Sequence, residues 1–289
     1  VPPLPTLTHA ADDGNRPPRR RTPMDSGRRL CYPAPGGPGS RPSPGTAYDG
    51  SMSTPWGGAA ELALVLDPLS SDAATELGRG ISLLHEVAAG DRPATLRLYR
   101  PSPTVAFGQR DARLAGFGAA GRAASARGFA PLVRRAGGRA AAYHPGCLVV
   151  DHLEPASDAV MGTRARFAAF GAFFADVLTG LGLDAAVGEV PGEYCPGEFT
   201  VHGRVGGLPA VKLVGTAQRV VSGAWLFSSV LVVEGSPPLR AVLTEVYAAL
   251  GLAWRPATAG SAEDLAPGLT VDDVQGALLA AYADAVRLV

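Results

Sequence analysis

The residues best able to do chemistry in this sequence are a solitary ammonium, an arginine–glycine loop and a cysteine set between acidic residues, proline and glycine. Lys212 is the only lysine among 289 residues, and every other basic side chain is arginine. The chain is rich in Ala, Gly, Pro and Arg, as a GC-rich coding sequence would be, and such drift replaces Lys wherever any positive charge suffices. A position that stays Lys is then one where a compact point charge must meet a phosphate or carboxylate that a planar fork does not fit. Chance survival on an exposed strand explains the count equally well, so the neighbourhood has to decide. In Val211-Lys212-Leu213-Val214-Gly215-Thr216-Ala217-Gln218-Arg219, strand alternation puts Lys212, Val214, Thr216 and Gln218 on one face, and Val211, Leu213 and Ala217 on the other. That face is a polar wall suited to an acyl phosphate, and Gly215 permits close approach of a ligand or backbone.

The second segment, Arg134-Arg135-Ala136-Gly137-Gly138-Arg139-Ala140-Ala141-Ala142-Tyr143-His144-Pro145-Gly146, follows an apolar strand. Glycines there let backbone N–H groups approach an anion, and the arginines add charge. Alone it describes a glycine-rich hairpin with solvated arginines equally well, and His144 reads as a general base or as a hydrogen-bonded loop histidine. The third segment is Gly192-Glu193-Tyr194-Cys195-Pro196-Gly197-Glu198-Phe199-Thr200-Val201. Thiol chemistry at Cys195 needs the thiolate, which nearby carboxylates disfavour and Lys212 or an arginine would favour. The alternative is a small buried residue.

These segments need a scaffold. Asp72–Ala89 carries apolar residues at helical spacing. Thr95–Tyr99 alternates as a strand, and Thr104–Phe107 is a second. Asp111–Arg127 reads as one Ala-rich helix with glycine interruptions. Pro131–Arg135 and Cys147–His152 are strand-like, and Thr163–Leu181 is a helix with a face of Phe167, Phe170 and Phe174. Glu198–Val201, Ala210–Val221 and Ala224–Val233 read as strands, the last buried on both faces. Pro238–Leu250 and Val271–Val286 close the chain as helices, with Asp272 and Asp273 at the favourable end of the second helix dipole. The order predicts a mixed α/β, or α+β, domain with a largely antiparallel central sheet flanked by helices, over residues 56–289. Residues 1–55, with twelve Pro, seven Gly and clustered Arg, read as a disordered extension. Met24 and Met52 are alternative starts, and a basic docking arm is the functional alternative.

Composition excludes some functions. With 26 basic against 26 acidic residues, nothing points to nucleic acid or an anionic membrane. The longest apolar stretch near the end, Val220–Val233, is too short to span a bilayer. Cys31, Cys147 and Cys195 form neither a metal spacing nor a disulfide framework, so a reducing cytoplasm is the expected setting and no metal site is expected.

The motifs resemble those of the lipoate–protein ligase and octanoyltransferase side of the biotin/lipoate protein ligase catalytic superfamily. LRLYRPSPTVAFGQ (96–109) is similar to the family's opening strand pair with its Gly-x-x-Gln element. RRAGGRAAAYHPG (134–146) is similar to its Arg-Arg-x-Ser-Gly-Gly-Gly-Ala-x-x-His loop, and VKLVGTAQR (211–219) to its Lys-Ile-x-Gly-Ser-Ala-Gln-Arg strand. TVDDVQGALLAAYADAV (270–286) resembles the terminal helix. The resemblance spans about Leu62–Val286 and implies the biotin/lipoyl ligase catalytic-domain fold. It implies attachment of a lipoyl or octanoyl group to a lysine of lipoyl-domain proteins. Lys212 would then be the cation that stabilises the reacting carbonyl. Arg135, Gly137, Gly138 and His144 would belong to the acyl–phosphate pocket, with Gly215, Thr216 and Gln218 lining it.

A ligase of this family uses ATP and Mg²⁺ through an acyl-adenylate. A transferase takes the octanoyl group from acyl carrier protein through a cysteine acyl-enzyme and needs no cofactor; Cys195 is the first candidate thiol and Cys147 the second, with His144 or His202 as a base supplied by the fold. A biotin–protein ligase and a non-catalytic binder of lipoyl or carrier domains are the remaining alternatives. No accessory domain is expected after the terminal helix. This chain departs from the family pattern where Gly137-Gly138-Arg139-Ala140 replaces Ser-Gly-Gly-Gly, and where Ser228-Ser229 stands in place of a His-Gly pair.

Overall fold

The computed structural model describes residues 56–69 and 72–289; the segment read as a disordered extension, residues 1–55, lies outside the described residues. The strands are β1 (Glu61–Leu66), β2 (Thr95–Tyr99), β3 (Thr104–Phe107), β4 (Ala130–Val133), β5 (Ala141–Tyr143), β6 (Cys147–Ala156), β7 (Asp184–Val187), β8 (Val201–Arg204), β9 (Val211–Val221), β10 (Gly223–Val232) and β11 (Arg287–Leu288). The helices are α1 (Ala73–Ala89), α2 (Phe117–Ala126), α3 (Thr163–Gly180), α4 (Ser236–Leu250), α5 (Ala262–Leu265) and α6 (Val271–Ala285), with 3₁₀ turns at Asp111–Arg113 and Pro256–Thr258.

Eight strands form one sheet in the order β11-β1-β2-β6-β10-β9-β8-β7, and β4-β3-β5 form a smaller one. From β2 to β7 every neighbouring pair is antiparallel, while β11-β1-β2 is parallel. Helices flank the sheet, as the order of elements predicts. Along β10 the alternation sorts two environments. Trp225, Phe227 and Leu231 join a core with Phe170 and Phe174 of α3 and Leu278 and Tyr282 of α6. Leu226, Ser228 and Val230 face the opposite side, beneath α1. So β10 is covered on both faces, but one cover leaves a cavity. A second core joins the small sheet to α2 and α4.

Local chemistry explains most boundaries. Asp72 caps α1 by accepting from Ala74 and Thr75 N–H, both 3.1 Å, and Gly90 ends the helix in the left-handed region that glycine adopts freely. Asp273 and Thr270 form a capping box on α6, so the acidic first turn acts by direct hydrogen bonding as well as through the dipole.

Three expectations are corrected. Asp111–Arg127 is not one helix: the Asp111 side chain turns inward to accept Gly108 N–H at 3.0 Å, and the chain restarts as α2 after Gly116, whose missing Cβ lets it lie against the Ala249 carbonyl. Glu198–Val201 is not a strand, because Thr200 N–H closes a turn on Gly197 O at 3.0 Å while Phe199 stacks on Phe167; pairing begins at Val201. Third, the alternation along β9 is interrupted. Val201 pairs with Val214 but His202 pairs with Lys212, so Leu213 is an extra residue. Such a bulge resets which side chains share a face.

Candidate active site

A cavity of about 790 Å³ opens between α1, the inner strands of the large sheet and the β4–β5 loop. Its apolar side includes Leu77, Ile81, Val149, Leu226 and Val230. At its other side meet the arginine–glycine loop, the segment carrying Cys195, and Lys212.

The bulge decides how Lys212 arrives there. In antiparallel pairing opposed residues share a face. Gly215, Ala217 and Arg219 lie opposite Val230, Ser228 and Leu226 of the cavity. Thr216 and Gln218 lie opposite Ser229 and Phe227 on the α3 face. Without the bulge at Leu213, Lys212 would share the face of Val214, Thr216 and Gln218, as simple alternation predicts. With it, the lysine reaches the cavity alongside Gly215, where an added Cβ would sit 3.4 Å from Lys212 Cε. Thr216 and Gln218 still contribute to the wall, but the Gln218 carboxamide oxygen accepts from Arg166 on α3 at 3.2 Å.

Lys212 is 2% exposed. Its ammonium donates to Cys195 O at 2.8 Å and Tyr194 O at 3.2 Å, and pairs with Glu193 Oε2 at 2.9 Å. A lysine has three hydrogens to give, and these contacts take all three. Glu193, which could have opposed a thiolate, is instead tied to Lys212, Thr200 Oγ1 (2.9 Å) and Gly197 N–H (3.2 Å). Together they clamp the turn around Cys195, whose φ of +43° is the one positive value of a non-glycine residue among the described residues. Such a conformation costs on the order of 1–3 kcal/mol and persists where surrounding contacts enforce it. From α4, Tyr247 Oη accepts Cys195 N–H at 2.7 Å and donates to Ala140 O at 3.0 Å, joining the cysteine turn to the glycine loop. Burial pushes the Tyr247 and Tyr194 phenols up, above their ordinary 10.

The Cys195 thiol is half-buried and faces donors. Arg139 N–H points at Sγ from 3.2 Å and Arg134 Nη2 lies 3.5 Å away. Gly138 makes this possible: at φ +101° a side chain would be strained, and its Cβ would lie 2.7 Å from Sγ. Gly108, which Gln109 follows directly, has no room for a Cβ against the Gly138 carbonyl, and Gln109 Nε2 donates to Arg134 O at 2.9 Å.

The structure therefore brings Lys212, Cys195, Arg135, Gly137, Gly138, Gly215, Thr216 and Gln218 to one cavity. It places His144 elsewhere. That ring accepts Gly146 N–H at Nδ1 (2.9 Å) and meets Gly235 O at Nε2 (2.8 Å), a hydrogen-bonded loop histidine outside the cavity wall. His202 is also outside the wall, with Nδ1 buried and unpartnered and its pKa lowered chiefly by burial, then by Arg204. Cys147 is fully buried, and burial pushes its thiol up to about 12, too high for a thiolate near neutral pH. Arg134, Asp111, Glu193 and Tyr247 are site residues that the motif reading missed. Arg134 was legible as half of the arginine pair and Glu193 as a neighbour of the cysteine; Asp111 and Tyr247 carried no local signal. Among the described residues no three metal-ligating side chains cluster, and no helix is long and apolar enough to cross a membrane.

The fold is that of the lipoate ligase class. Lipoate-protein ligase A, solved with ATP bound, superposes with a TM-score of 0.60 at 20% identity, over 79% of this chain and 87% of that one. The lipoyl protein ligase A/B catalytic domain family matches residues 72–283, and the chain belongs to that family. Among its relatives are octanoyl-GcvH:protein N-octanoyltransferases. The one from Geobacillus kaustophilus is 29% identical over 59% of this chain and 58% of its own length. That from Exiguobacterium sp. is 30% identical over 64% of this chain and 68% of its own length. The match to the first relative thus spans under two thirds of that protein.

Proposed function

We propose that this protein is an acyltransferase that carries an octanoyl or lipoyl group from a carrier protein, through Cys195, to a lysine of a lipoyl-domain protein. The observation that carries this reading is the Cys195 thiol in the cavity wall, with the Arg139 N–H and the Arg134 guanidinium directed at its sulfur. Donors so placed hold the sulfur in the cavity wall and can stabilise negative charge on it when the bond to the acyl carbon forms or breaks. The apolar side formed by Leu77, Ile81, Leu226 and Val230 suits an alkyl chain. The name of the octanoyl-GcvH transferases supports an octanoylated carrier as donor.

In the first step the Cys195 sulfur bonds to the acyl carbon, the bond from that carbon to the carrier breaks, and the leaving atom takes up the proton given up by the thiol. In the second, the acceptor lysine amine bonds to the acyl carbon, the thioester breaks, and the amine's proton returns to Cys195. Splitting the transfer gives two easier steps. Lys212 contributes by holding the Cys195 backbone, and its positive charge in the cavity wall favours the negative charge that develops on the reacting carbonyl.

An ATP-dependent ligase is the second reading, suggested by the fold shared with a ligase solved with ATP. Two donors of the arginine–glycine loop are already committed, Arg139 N–H to Cys195 Sγ and its guanidinium to Asp111 at 3.0 Å. A triphosphate held by those donors would have to displace both, which favours the acyl-enzyme reading. Incubating the protein with octanoyl-GcvH, with octanoyl-acyl carrier protein, or with lipoate plus ATP and Mg²⁺ separates the readings. Intact mass should show an octanoyl adduct with a carrier donor, absent from Cys195→Ser. Modification of an apo lipoyl domain that needs ATP and forms no adduct would replace this proposal by the ligase.

A further inference from the structure

Among the described residues no imidazole is hydrogen-bonded to Cys195 Sγ, and the donors directed at the sulfur are the Arg139 N–H and the Arg134 guanidinium. The two donors at the sulfur both come from the β4–β5 loop, whose Ala136-Gly137-Gly138 stretch has little intrinsic reason to hold one shape. Arg139, placed where the family pattern has glycine, is fixed at three points. Its guanidinium pairs with Asp111 Oδ1 at 3.0 Å, its carbonyl accepts from Arg134 Nη2 at 2.8 Å, and its N–H meets the sulfur. The Asp111 side chain is 0% exposed and its other oxygen is anchored to Gly108 N–H at 3.0 Å. A buried carboxylate held by one loop thus grips the side chain of the other.

We propose that the Asp111–Arg139 ion pair is a positioning device: it aims the Arg139 N–H at Cys195 Sγ and thereby sustains the thiolate. The inference rests on the reading of Cys195 as the nucleophile. The other polar groups around Cys195 are committed elsewhere. Lys212, from β9, holds the Cys195 carbonyl and is paired with Glu193. Tyr247, from α4, holds the Cys195 N–H. The Tyr194 ring lies under the Lys212 ammonium, 4.9 Å from its centroid, and Arg255 packs on Gly192. The replacement of a family glycine by Arg139 is, on this view, how this chain holds its loop without the small residues of the pattern.

The test is the pH dependence of Cys195 alkylation by iodoacetamide, located by peptide mass spectrometry, in the full chain and in Asp111→Asn, Arg139→Gln, the double variant and Arg139→Lys. Each of the first two should raise the midpoint by about one pH unit, about a tenfold loss of rate below it, with the high-pH plateau unchanged. The double variant should shift no further than either single one, because both break the same contact. Arg139→Lys, which keeps the charge, should recover part of the shift. The sign is informative, since removing the Asp111 charge alone would lower the midpoint. Midpoints unchanged or lowered in Asp111→Asn, or additive shifts in the double variant, would overturn the device. If Asp111→Asn does not fold, as thermal melting would show, the midpoints of Arg139→Gln and Arg139→Lys decide. Octanoyl-adduct formation by the unmodified protein, run in parallel, separates the two ideas. Its absence removes Cys195 as nucleophile whatever the midpoints do, and its presence with an unshifted Asp111→Asn midpoint removes the device alone.

Discussion

The two faces of the large sheet treat buried polarity in opposite ways. On the α3–α6 face, His152 stacks on Trp225 at 5.2 Å and meets Glu154 at 2.9 Å and Tyr282 Oη at 3.3 Å, amid Trp56 and Phe170. Arg166 lies over the Trp225 ring at 4.8 Å. The cluster is closed by aromatic side chains. On the α1 face, the strands that carry those residues also present Val149, Asp151, Ser228 and Val230 to a cavity. There Asp151 is paired with the buried Arg97 at 2.9 Å, while at the cavity's far side the Arg139 N–H and the Arg134 guanidinium are directed at the Cys195 sulfur. A closed network converts burial into a unique packing, whereas an open one keeps a nucleophile within reach of substrate. The two described cysteines differ in the same way, Cys147 sealed in the second core beside α4 and Cys195 open to the cavity.

The largest expected effect is at that contrast. Cys195→Ser should cut acyl transfer roughly 10³-fold or more with an unchanged melting temperature. Cys147→Ser should keep the transfer rate and lose about 1–3 kcal/mol from a poorly satisfied buried hydroxyl. An adduct that disappears with Cys147 instead would erase the distinction between the cysteines. Next, Lys212→Ala should abolish transfer and also destabilise the fold by about 3–5 kcal/mol, because Glu193 is left charged and buried. The Lys212→Ala/Glu193→Gln pair should recover most of the stability in denaturant unfolding but none of the transfer. Recovery of transfer as well would show that the lysine charge is dispensable.

On the closed face, Phe170→Ala should cost about 3–5 kcal/mol, since the ring stacks on Phe227 at 4.2 Å in a filled core. The midpoint of Cys195 alkylation should not move, and a shift would mean that the faces are coupled. The smallest effect is on pH dependence. Burial lowers the His152 pKa below 6.5, against the pull of Glu154. The unfolded chain therefore binds the proton more readily than the folded one, and stability should be level above about pH 6.5 and fall as the pH drops below it. His152→Gln should flatten that decline in unfolding free energy measured between pH 7 and 5.

Much of this was legible in the residues. Regular periodicity gave α1, β2, β3, α3, β9 and α6 nearly to the residue, because a half-buried element shows its period in one sequence. The short strands β1, β5, β7 and β11 were missed, since their reason to exist is a neighbour. β1 is held by the chain end, with Leu64 N–H on Val289 O at 2.8 Å. Asp111 read as helix because nothing nearby reveals that its carboxylate is needed inward.

By its own order of residues the chain determined the kinds of group available: one lysine in a Gly-Thr-Ala-Gln-Arg strand, an arginine–glycine loop and a cysteine in a Pro–Gly turn. Their spacing was enough for the family resemblance. Tertiary structure alone decided how they face one another. One extra residue at Leu213 turns Lys212 to the cavity against the plain alternation. Glu193 becomes the lysine's partner instead of the thiol's opponent. Arg139, a departure from the motif, delivers its N–H to the sulfur. The reason is geometric: residue type and period act along the chain, whereas a bulge, a buried ion pair and a donor's aim depend on groups brought together from up to 56 positions apart.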